Sequence, residues 1–144
     1  KQRERAVSMK MNPIRSTVKG RRVVIVDDSI VRGTTLKRLV RILKDAGAKE
    51  VHVRLGCPPV IAPCYYGVDM RNRDQFIANS YSVSEIRDII GADSLAYISI
   101  DGLVEAVGYP ENDLCLACVN SKYPTNIPGE KHRFQSTLRT DFAQ

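Results

Sequence analysis

The hydrophobic pattern is clearest between residues 23 and 43. Val23-Val24-Ile25-Val26 is an unbroken run of β-branched residues that ends on Asp27 and Asp28. Such a run is typical of a parallel strand buried on both faces, so we predict one here with the two carboxylates at the sheet edge. The hydrophobic residues that come next have the i, i+3, i+4, i+7 spacing of an amphipathic helix: Leu36, Leu39, Val40 and Leu43.

The loop between this strand and helix has the composition of an anion site. It contains Arg32-Gly33-Thr34-Thr35. Glycine lets the backbone approach a ligand, and the N–H groups at a helix N-terminus favour negative charge, so a phosphate fits here. The adjacent Asp27 and Asp28 suit Mg²⁺ or sugar hydroxyls. The unit therefore indicates a sugar phosphate site, and the alternative is an ordinary loop in which the carboxylates only cap the next turn.

The rest of the pattern alternates strands and helices. Ser82-Val83-Ser84-Glu85 is a capping box that opens a helix ending at Gly91. The other predicted elements are a strand through Val51, Val53 and Leu55, a short helix at Arg73–Asn79, a strand at Leu95–Ile100, and a helix at Leu103–Val107 capped by Asp101. This order predicts an α/β fold with a mainly parallel sheet flanked by helices.

Composition narrows the class of protein. The chain has 144 residues, 43% of them hydrophobic and 26% charged, which is typical of one globular domain. Its net charge of +6 favours anionic ligands. There is no apolar run of membrane-spanning length and no signal peptide, so we expect a cytoplasmic protein. The start at Lys1 without Met indicates a processed product or an excised piece.

The ends of the chain differ in character from its middle. We predict a basic flexible arm at residues 1–20, one domain at 21–109, and a cysteine-bearing segment with an irregular, extended tail at 110–144. The chain has four cysteines, including the pair Cys115 and Cys118. Because a cytosolic protein rarely keeps structural disulfides, a metal site and free thiols are the open alternatives.

The sequence at residues 26–35, Val-Asp-Asp-Ser-Ile-Val-Arg-Gly-Thr-Thr, resembles the phosphoribosyl pyrophosphate (PRPP) motif of the type I phosphoribosyltransferases. Arg32 narrows the resemblance to the amidophosphoribosyltransferase family. The likeness runs from about Arg3 to about Thr125. It includes the segments Cys64-Tyr65-Tyr66-Gly67, Gly91-Ala92-Asp93-Ser94-Leu95 and Cys115-Leu116-Ala117-Cys118.

This resemblance implies a type I phosphoribosyltransferase-like fold and an enzyme of purine synthesis. Such an enzyme forms 5-phosphoribosylamine from PRPP and glutamine-derived ammonia, and it releases pyrophosphate. The family's N-terminal glutaminase domain and pyrophosphate loop are missing from this sequence. The resemblance therefore implies the C-terminal portion of a longer protein, inactive by itself, and a homo-oligomer.

The resemblance also assigns roles to residues. Asp27 and Asp28 would bind the ribose hydroxyls and Mg²⁺, and Lys10 would be the catalytic lysine that faces the pyrophosphate. Arg15 matches a family position to which we assign no role. The implied PRPP-binding residues are Asp27, Asp28, Ser29, Ile30, Val31, Arg32, Gly33, Thr34 and Thr35.

For the cysteines, the resemblance implies a [4Fe–4S] cluster held by Cys64, Cys115 and Cys118, with a fourth ligand outside this chain. Zinc and free thiols remain the alternatives. Cys57 could replace the fourth ligand only if its loop bent back, which Pro58 and Pro59 disfavour.

Two other functions are compatible with the sequence. One is a nucleic-acid-binding regulator with a PRPP fold, although no basic and aromatic residues interleave as base-stacking surfaces require. The other is a nucleobase phosphoribosyltransferase, which would not need cluster-spaced cysteines. We therefore expect no nucleic-acid and no membrane partner.

Overall fold

The computed structural model describes residues 12–70 and 73–128, and a three-stranded parallel sheet forms its centre. The strands are β1 (Arg22–Asp27), β2 (Glu50–Leu55) and β3 (Ser94–Tyr97), and they lie side by side in chain order. Asp27 pairs with Leu55, and Leu55 pairs with Tyr97. The carboxyl ends of all three strands therefore meet at one edge of the sheet, and the predicted parallel sheet is confirmed.

Five α-helices and three one-turn 3-10 helices join and flank the strands of the described chain. The α-helices are α1 (Arg15–Val18), α2 (Thr34–Asp45), α3 (Val83–Ile90), α4 (Ile100–Val107) and α5 (Ala117–Asn120). The 3-10 helices are Arg73–Gln75, Ile77–Asn79 and Glu111–Asp113. The predicted capping box is confirmed, because Ser82 and Glu85 each bind the other's backbone N–H at the start of α3.

The core lies on one face of the sheet, beneath α2 and α3. Val51 and Val53 of β2 are fully buried there. The helices contribute their predicted apolar faces to the same cluster: Leu36, Val40 and Leu43 from α2, and Ile86 and Ile90 from α3. Burial of these side chains is the main stabilising contribution to this layer.

The opposite face of the sheet is open in the described structure. Val24 is 59% exposed and Val26 is 78% exposed, so the prediction that β1 is buried on both faces is wrong. Within the described residues β1 pairs only with β2, and α2 packs on the face that carries Ile25. The run of β-branched residues indicated a strand correctly, but it could not show which face has a neighbour.

Several predicted boundaries also differ. Helix α4 begins at Ile100, and the hydroxyl of Ser99, rather than Asp101, caps it by accepting a hydrogen bond from the Gly102 N–H. Strand β3 ends at Tyr97, three residues before the predicted end. The predicted short helix at residues 73–79 is two successive 3-10 turns. Residues 15–18 of the predicted basic arm form α1, which buries Val18.

Some sequence predictions fall outside the described residues. They are Lys10, the first eleven residues of the basic arm, and the tail from residue 129 onward. Among the helices that are described, none combines the length and the apolar character needed to cross a membrane.

Candidate functional site

Local hydrogen bonds hold the two predicted carboxylates at the end of β1. The Asp28 N–H donates to Asp27 Oδ1 over 3.0 Å, and the Ser29 hydroxyl donates to Asp28 Oδ1 over 3.0 Å. The Gly56 N–H, just past β2, donates to the Asp27 carbonyl over 3.0 Å. Asp28 is exposed and Asp27 is half-buried. Both side chains therefore lie at the sheet edge where the strands end, as predicted, and they remain accessible to a ligand.

The loop that follows presents unused backbone donors. In the described part of the chain, the N–H groups of residues 29–36 donate no hydrogen bond. Helix α2 begins after Gly33 without a side-chain cap and without an acidic residue in its first turn. Free N–H groups at a helix N-terminus bind anions. The predicted phosphate loop, residues 29–35, therefore presents free backbone donors at the start of α2.

Gly33 is needed in this loop for two reasons. Its φ of +75° lies in the left-handed region that disfavours residues with a side chain. A Cβ at this position would lie 3.0 Å from Ile77 Cδ1. Gly33 therefore permits both the turn and the close packing of the loop on the 3-10 helix Ile77–Asn79.

The structure supplies the contact that the sequence left open for Arg32. The exposed Arg32 side chain donates a hydrogen bond from Nη2 to Gln75 Oε1. One residue earlier, the Val31 carbonyl accepts a hydrogen bond of 2.8 Å from the Ile77 N–H. Residues 73–79 therefore brace the phosphate loop, and we call this segment the brace. Nothing in its sequence indicated such a role.

The cysteine-bearing segments lie against each other. The Cys118 carbonyl accepts hydrogen bonds from the N–H groups of Ile61, at 2.9 Å, and Ala62, at 3.0 Å. The Tyr123 hydroxyl donates to the Pro63 carbonyl over 2.8 Å. These bonds hold α5 beside the loop that follows β2, so two segments far apart in sequence lie next to each other.

The thiols lie in one region, and they influence each other electrostatically. Burial raises the pKa of Cys118, and the nearby Cys64 and Cys115 raise it further. Burial also raises the pKa of Cys57 to about 11, with Cys118 and Asp28 acting in the same direction. Cys57 is therefore a neighbour of both the cysteine segment and the phosphate loop, although two prolines follow it.

The thiols do not converge on a metal. Among the described residues, no three His, Cys, Asp or Glu side chains are close enough together to hold a metal ion. All four cysteines are free thiols, and Cys115 is exposed. Thiolates suit an iron–sulfur cluster chemically, but in the described structure the three thiols are not gathered into one ligand set, so we derive no chemical step from such a cluster.

One side chain links the two regions. Asn79, at the end of the brace, donates from Nδ2 to the carbonyls of Ile61, over 3.1 Å, and Arg73, over 3.3 Å. Ile61 in turn binds the Cys118 carbonyl. A continuous path of hydrogen bonds therefore runs from the phosphate loop through the brace to α5.

Comparison with known proteins agrees with this geometry. Residues 1–57 match the family described as phosphoribosyl transferase domain. An amidophosphoribosyltransferase of Archaeoglobus fulgidus is 58% identical over 131 residues, which cover 90% of this chain and 29% of that protein. The chain is homologous to the amidophosphoribosyltransferases. It spans 27–29% of the length of the first relatives that it matches.

Solved structures show the same fold. The enzyme described as the allosteric regulatory enzyme of purine biosynthesis superimposes with a TM-score of 0.75 at 49% identity, covering 81% of this chain and 26% of that one. The glutamine PRPP amidotransferase from B. subtilis, complexed with ADP and GMP, also gives 0.75, at 46% identity, covering 88% of this chain and 28% of that one. The predicted phosphoribosyltransferase-like fold is thereby confirmed.

Proposed function

We propose that the protein of which this chain forms a part is an amidophosphoribosyltransferase. It would transfer the phosphoribosyl group of PRPP to glutamine-derived ammonia and release pyrophosphate. The observation that carries the proposal is the phosphate loop, whose unused N–H groups lie directly after two accessible carboxylates. The homology supports the same assignment.

The parts of the site suit different parts of the substrate. The N–H groups and hydroxyls of Gly33, Thr34 and Thr35 would bind the 5′-phosphate, because the N-terminus of α2 stabilises negative charge. Asp27 and Asp28 would accept hydrogen bonds from the ribose hydroxyls. Ser29, Ile30, Val31 and Arg32 complete the loop. Phosphate and diol would then be held at opposite ends of one short turn.

The two carboxylates also fit Mg²⁺ in their donor chemistry, since this ion prefers oxygen ligands and is commonly held by one or two carboxylates together with substrate phosphates. Asp27 and Asp28 would hold it, and Mg²⁺ would supply charge stabilisation for the leaving pyrophosphate.

The protein's own contribution would be placement and electrostatics. Ammonia attacks the anomeric carbon as the bond to pyrophosphate breaks, and positive charge develops on the sugar. A phosphate loop that fixes one end of the substrate lowers the entropic cost of reaching this arrangement. Lys10, expected to face the pyrophosphate, lies outside the described residues, and its role remains part of the proposal.

Substitution of each carboxylate tests the assignment in the full-length protein. Asp27→Asn and Asp28→Asn should each lower PRPP-dependent synthesis by about 100-fold, the effect typical of losing a group that stabilises transition-state charge. Glutamine hydrolysis should stay measurable, because we assign it to another domain. Asp45→Asn is the matched control, since Asp45 lies at the far end of α2 and pairs with Arg41.

Unchanged synthesis in both site variants would contradict the proposed function. A second measurement concerns this chain alone, which should show little or no turnover with PRPP and ammonia. Turnover by the isolated chain would mean that the family's pyrophosphate loop, which this sequence does not contain, is dispensable for the reaction.

We also propose that Cys64, Cys115 and Cys118 bind a [4Fe–4S] cluster in the full-length protein, with a fourth ligand from outside this chain. Thiolate chemistry and the adjacency of the two cysteine segments support this proposal, whereas the unconverged thiols count against it. Iron and sulfide analysis of anaerobically purified protein, with Cys118→Ser as the control, tests it. Absence of iron from the unsubstituted protein would end the proposal. A cytoplasmic location and homo-oligomer formation remain predictions from the sequence.

A further inference from the structure

The brace contacts the phosphate loop at three consecutive residues. The Val31 carbonyl binds the Ile77 N–H, Gly33 packs on the Ile77 side chain, and Arg32 between them binds Gln75. Two of these contacts fix the loop backbone. The third contact, between Gln75 and Arg32, orients a positively charged side chain of the loop.

We propose that Gln75 is a positioning residue that holds the Arg32 guanidinium beside the phosphate loop, where its charge contributes to PRPP binding. This inference rests on the proposed function and adds to it a residue outside the motif. An exposed arginine samples many rotamers, and holding one of them before the substrate arrives reduces the entropy lost on binding.

The packing around Gln75 makes it a firm anchor. The next two residues, Phe76 and Ile77, are 1% and 8% exposed, so the backbone at the end of the first 3-10 turn is fixed by the core. Gln75 itself is half-buried, whereas Arg32 is exposed. Together they line one side of a surface groove of about 410 Å³. The less mobile partner therefore determines where the more mobile one lies.

The chemistry of Gln75 also suits this role. Its amide oxygen accepts a hydrogen bond from the guanidinium without carrying charge, so Arg32 keeps its full positive charge for an anionic ligand. A carboxylate in the same place would hold Arg32 as well but would neutralise part of its charge. Gln75 can therefore orient the Arg32 guanidinium without neutralising its positive charge.

The test measures KM for PRPP and kcat in the full-length protein. Gln75→Ala should raise KM by about 3- to 10-fold, the range expected for losing one hydrogen bond to a charged group at a partly exposed site. We expect kcat to stay within about twofold, because the contact is remote from the reacting bond. Gln75→Glu keeps an acceptor but neutralises part of the Arg32 charge, so its KM should lie between those of the unsubstituted protein and Gln75→Ala. Ser80→Ala is the matched control, because Ser80 lines the same groove without a hydrogen bond to Arg32.

A double-mutant cycle separates positioning from a general structural effect. If Gln75 acts through Arg32, Gln75→Ala should add no further increase in KM once Arg32→Ala is present. If the KM of the double variant rises by the product of the two single-variant factors, the inference is overturned. An unchanged KM in Gln75→Ala would also overturn it. A fall in the unfolding temperature of Gln75→Ala without this non-additivity would also overturn it, because the residue would then be only structural.

Measurements on the unsubstituted protein distinguish a failure of the proposed function from a failure of the role assigned to Gln75. If that protein neither binds PRPP in calorimetry nor turns it over, the proposed function fails, and the inference fails with it. If it binds and reacts normally while Gln75→Ala behaves identically, only the role of Gln75 is refuted.

Discussion

The phosphate loop lies near the cysteine region, by which we mean residues 57–68 and 115–123, but the two differ in how their potential ligand groups are arranged. In the loop, the donors of the proposed anion site are backbone N–H groups, whose directions follow from the strand, the turn and helix α2. In the cysteine region the backbone is equally well bonded, as the contacts of Cys118 with Ile61 and Ala62 show. In the part of the chain that the structure describes, however, its thiols are not gathered into a set of three metal ligands.

The difference shows what a fold can establish without its ligand. Backbone donors are fixed once secondary structure forms, so an anion site is built by folding alone. Thiol ligands are side chains that must lose their protons and converge, and metal binding itself supplies much of the free energy for this step. The following predictions test this contrast, from the largest expected effect to the smallest.

The first prediction concerns Cys57, at the border of the two regions. Because burial raises its pKa to about 11 from an ordinary value of 9.0, its reactive thiolate at pH 8 should be about 100-fold scarcer than that of an unperturbed cysteine. Alkylation should therefore modify the exposed Cys115 first and reach Cys57 only as the pH approaches 11. Mass spectrometry of tryptic peptides, with Cys57→Ser to identify the signal, gives the rates. Equal rates at pH 8 would show that Cys57 is not secluded.

The second prediction compares one glycine from each region. Gly33→Ala should lower the free energy of unfolding by about 2–3 kcal/mol, because left-handed backbone strain adds to a tight contact that forces the end of the Ile77 side chain to shift. Gly67→Ala, in the cysteine region, should cost about 1–3 kcal/mol from backbone strain alone, since its φ of +122° is adopted almost only by glycine and a Cβ there meets nothing within 4 Å. Urea unfolding of the chain measures both.

The double variant Gly33→Ala with Ile77→Val removes the atom that the new Cβ would meet, so it should be more stable than the additive sum of the two single changes. If the effects simply add, steric contact is not the reason for glycine at this position.

The third prediction breaks the link between the regions. Asn79→Ala removes the hydrogen bonds to the Ile61 and Arg73 carbonyls and should cost about 1–2 kcal/mol, because the Ile61 carbonyl loses this donor, whereas the Arg73 carbonyl keeps the Phe76 N–H. Hydrogen exchange should then quicken both in the brace and near α5. Asn112→Ala, on the exposed 3-10 helix Glu111–Asp113, is the control and should change stability by less than about 0.5 kcal/mol. Faster exchange on one side only would mean that the regions are independent.

The smallest expected effect is within the cysteine region. Tyr123→Phe removes the hydrogen bond to the Pro63 carbonyl and should cost about 1 kcal/mol in thermal unfolding. Tyr109→Phe provides the comparison, since Tyr109 is 64% exposed and its hydroxyl should contribute little. A similar cost for both substitutions would indicate that the Pro63 contact does not stabilise the region.

The sequence predicted the strand, the turn and the helix around the proposed phosphate loop well, because their signals are local. Four β-branched residues, a glycine and a helical repeat follow one another closely in the chain. In most folds they indicate a strand, a turn and an amphipathic helix, respectively. The capping box at Ser82 was predicted for the same reason. Asp101 was a plausible cap by residue type, but Ser99 occupies the position from which a hydroxyl reaches the Gly102 N–H. Shifts of two or three residues in a helix cap or helix start depend on tertiary packing, which a local sequence pattern does not contain.

Long-range relations were beyond the sequence. The exposure of Val24 and Val26 depends on which sheet face has a neighbour, and their residue type does not report this. The brace was a short, unremarkable segment, so neither the contact of Gln75 with Arg32 nor the link through Asn79 had a signal. The sequence did not indicate the neighbours of Cys57, whereas in the fold Asp28 and Cys118 are close enough to raise its pKa.

The close packing of Gly33 against Ile77 sets the smallest piece of this protein that could be moved into another scaffold. A graft of residues 23–35 alone would carry the recognisable motif but would leave its turn without support, because the surface that shapes it comes from more than forty positions downstream. A graft that keeps this support would have to include at least the chain from Arg22 through Asn79.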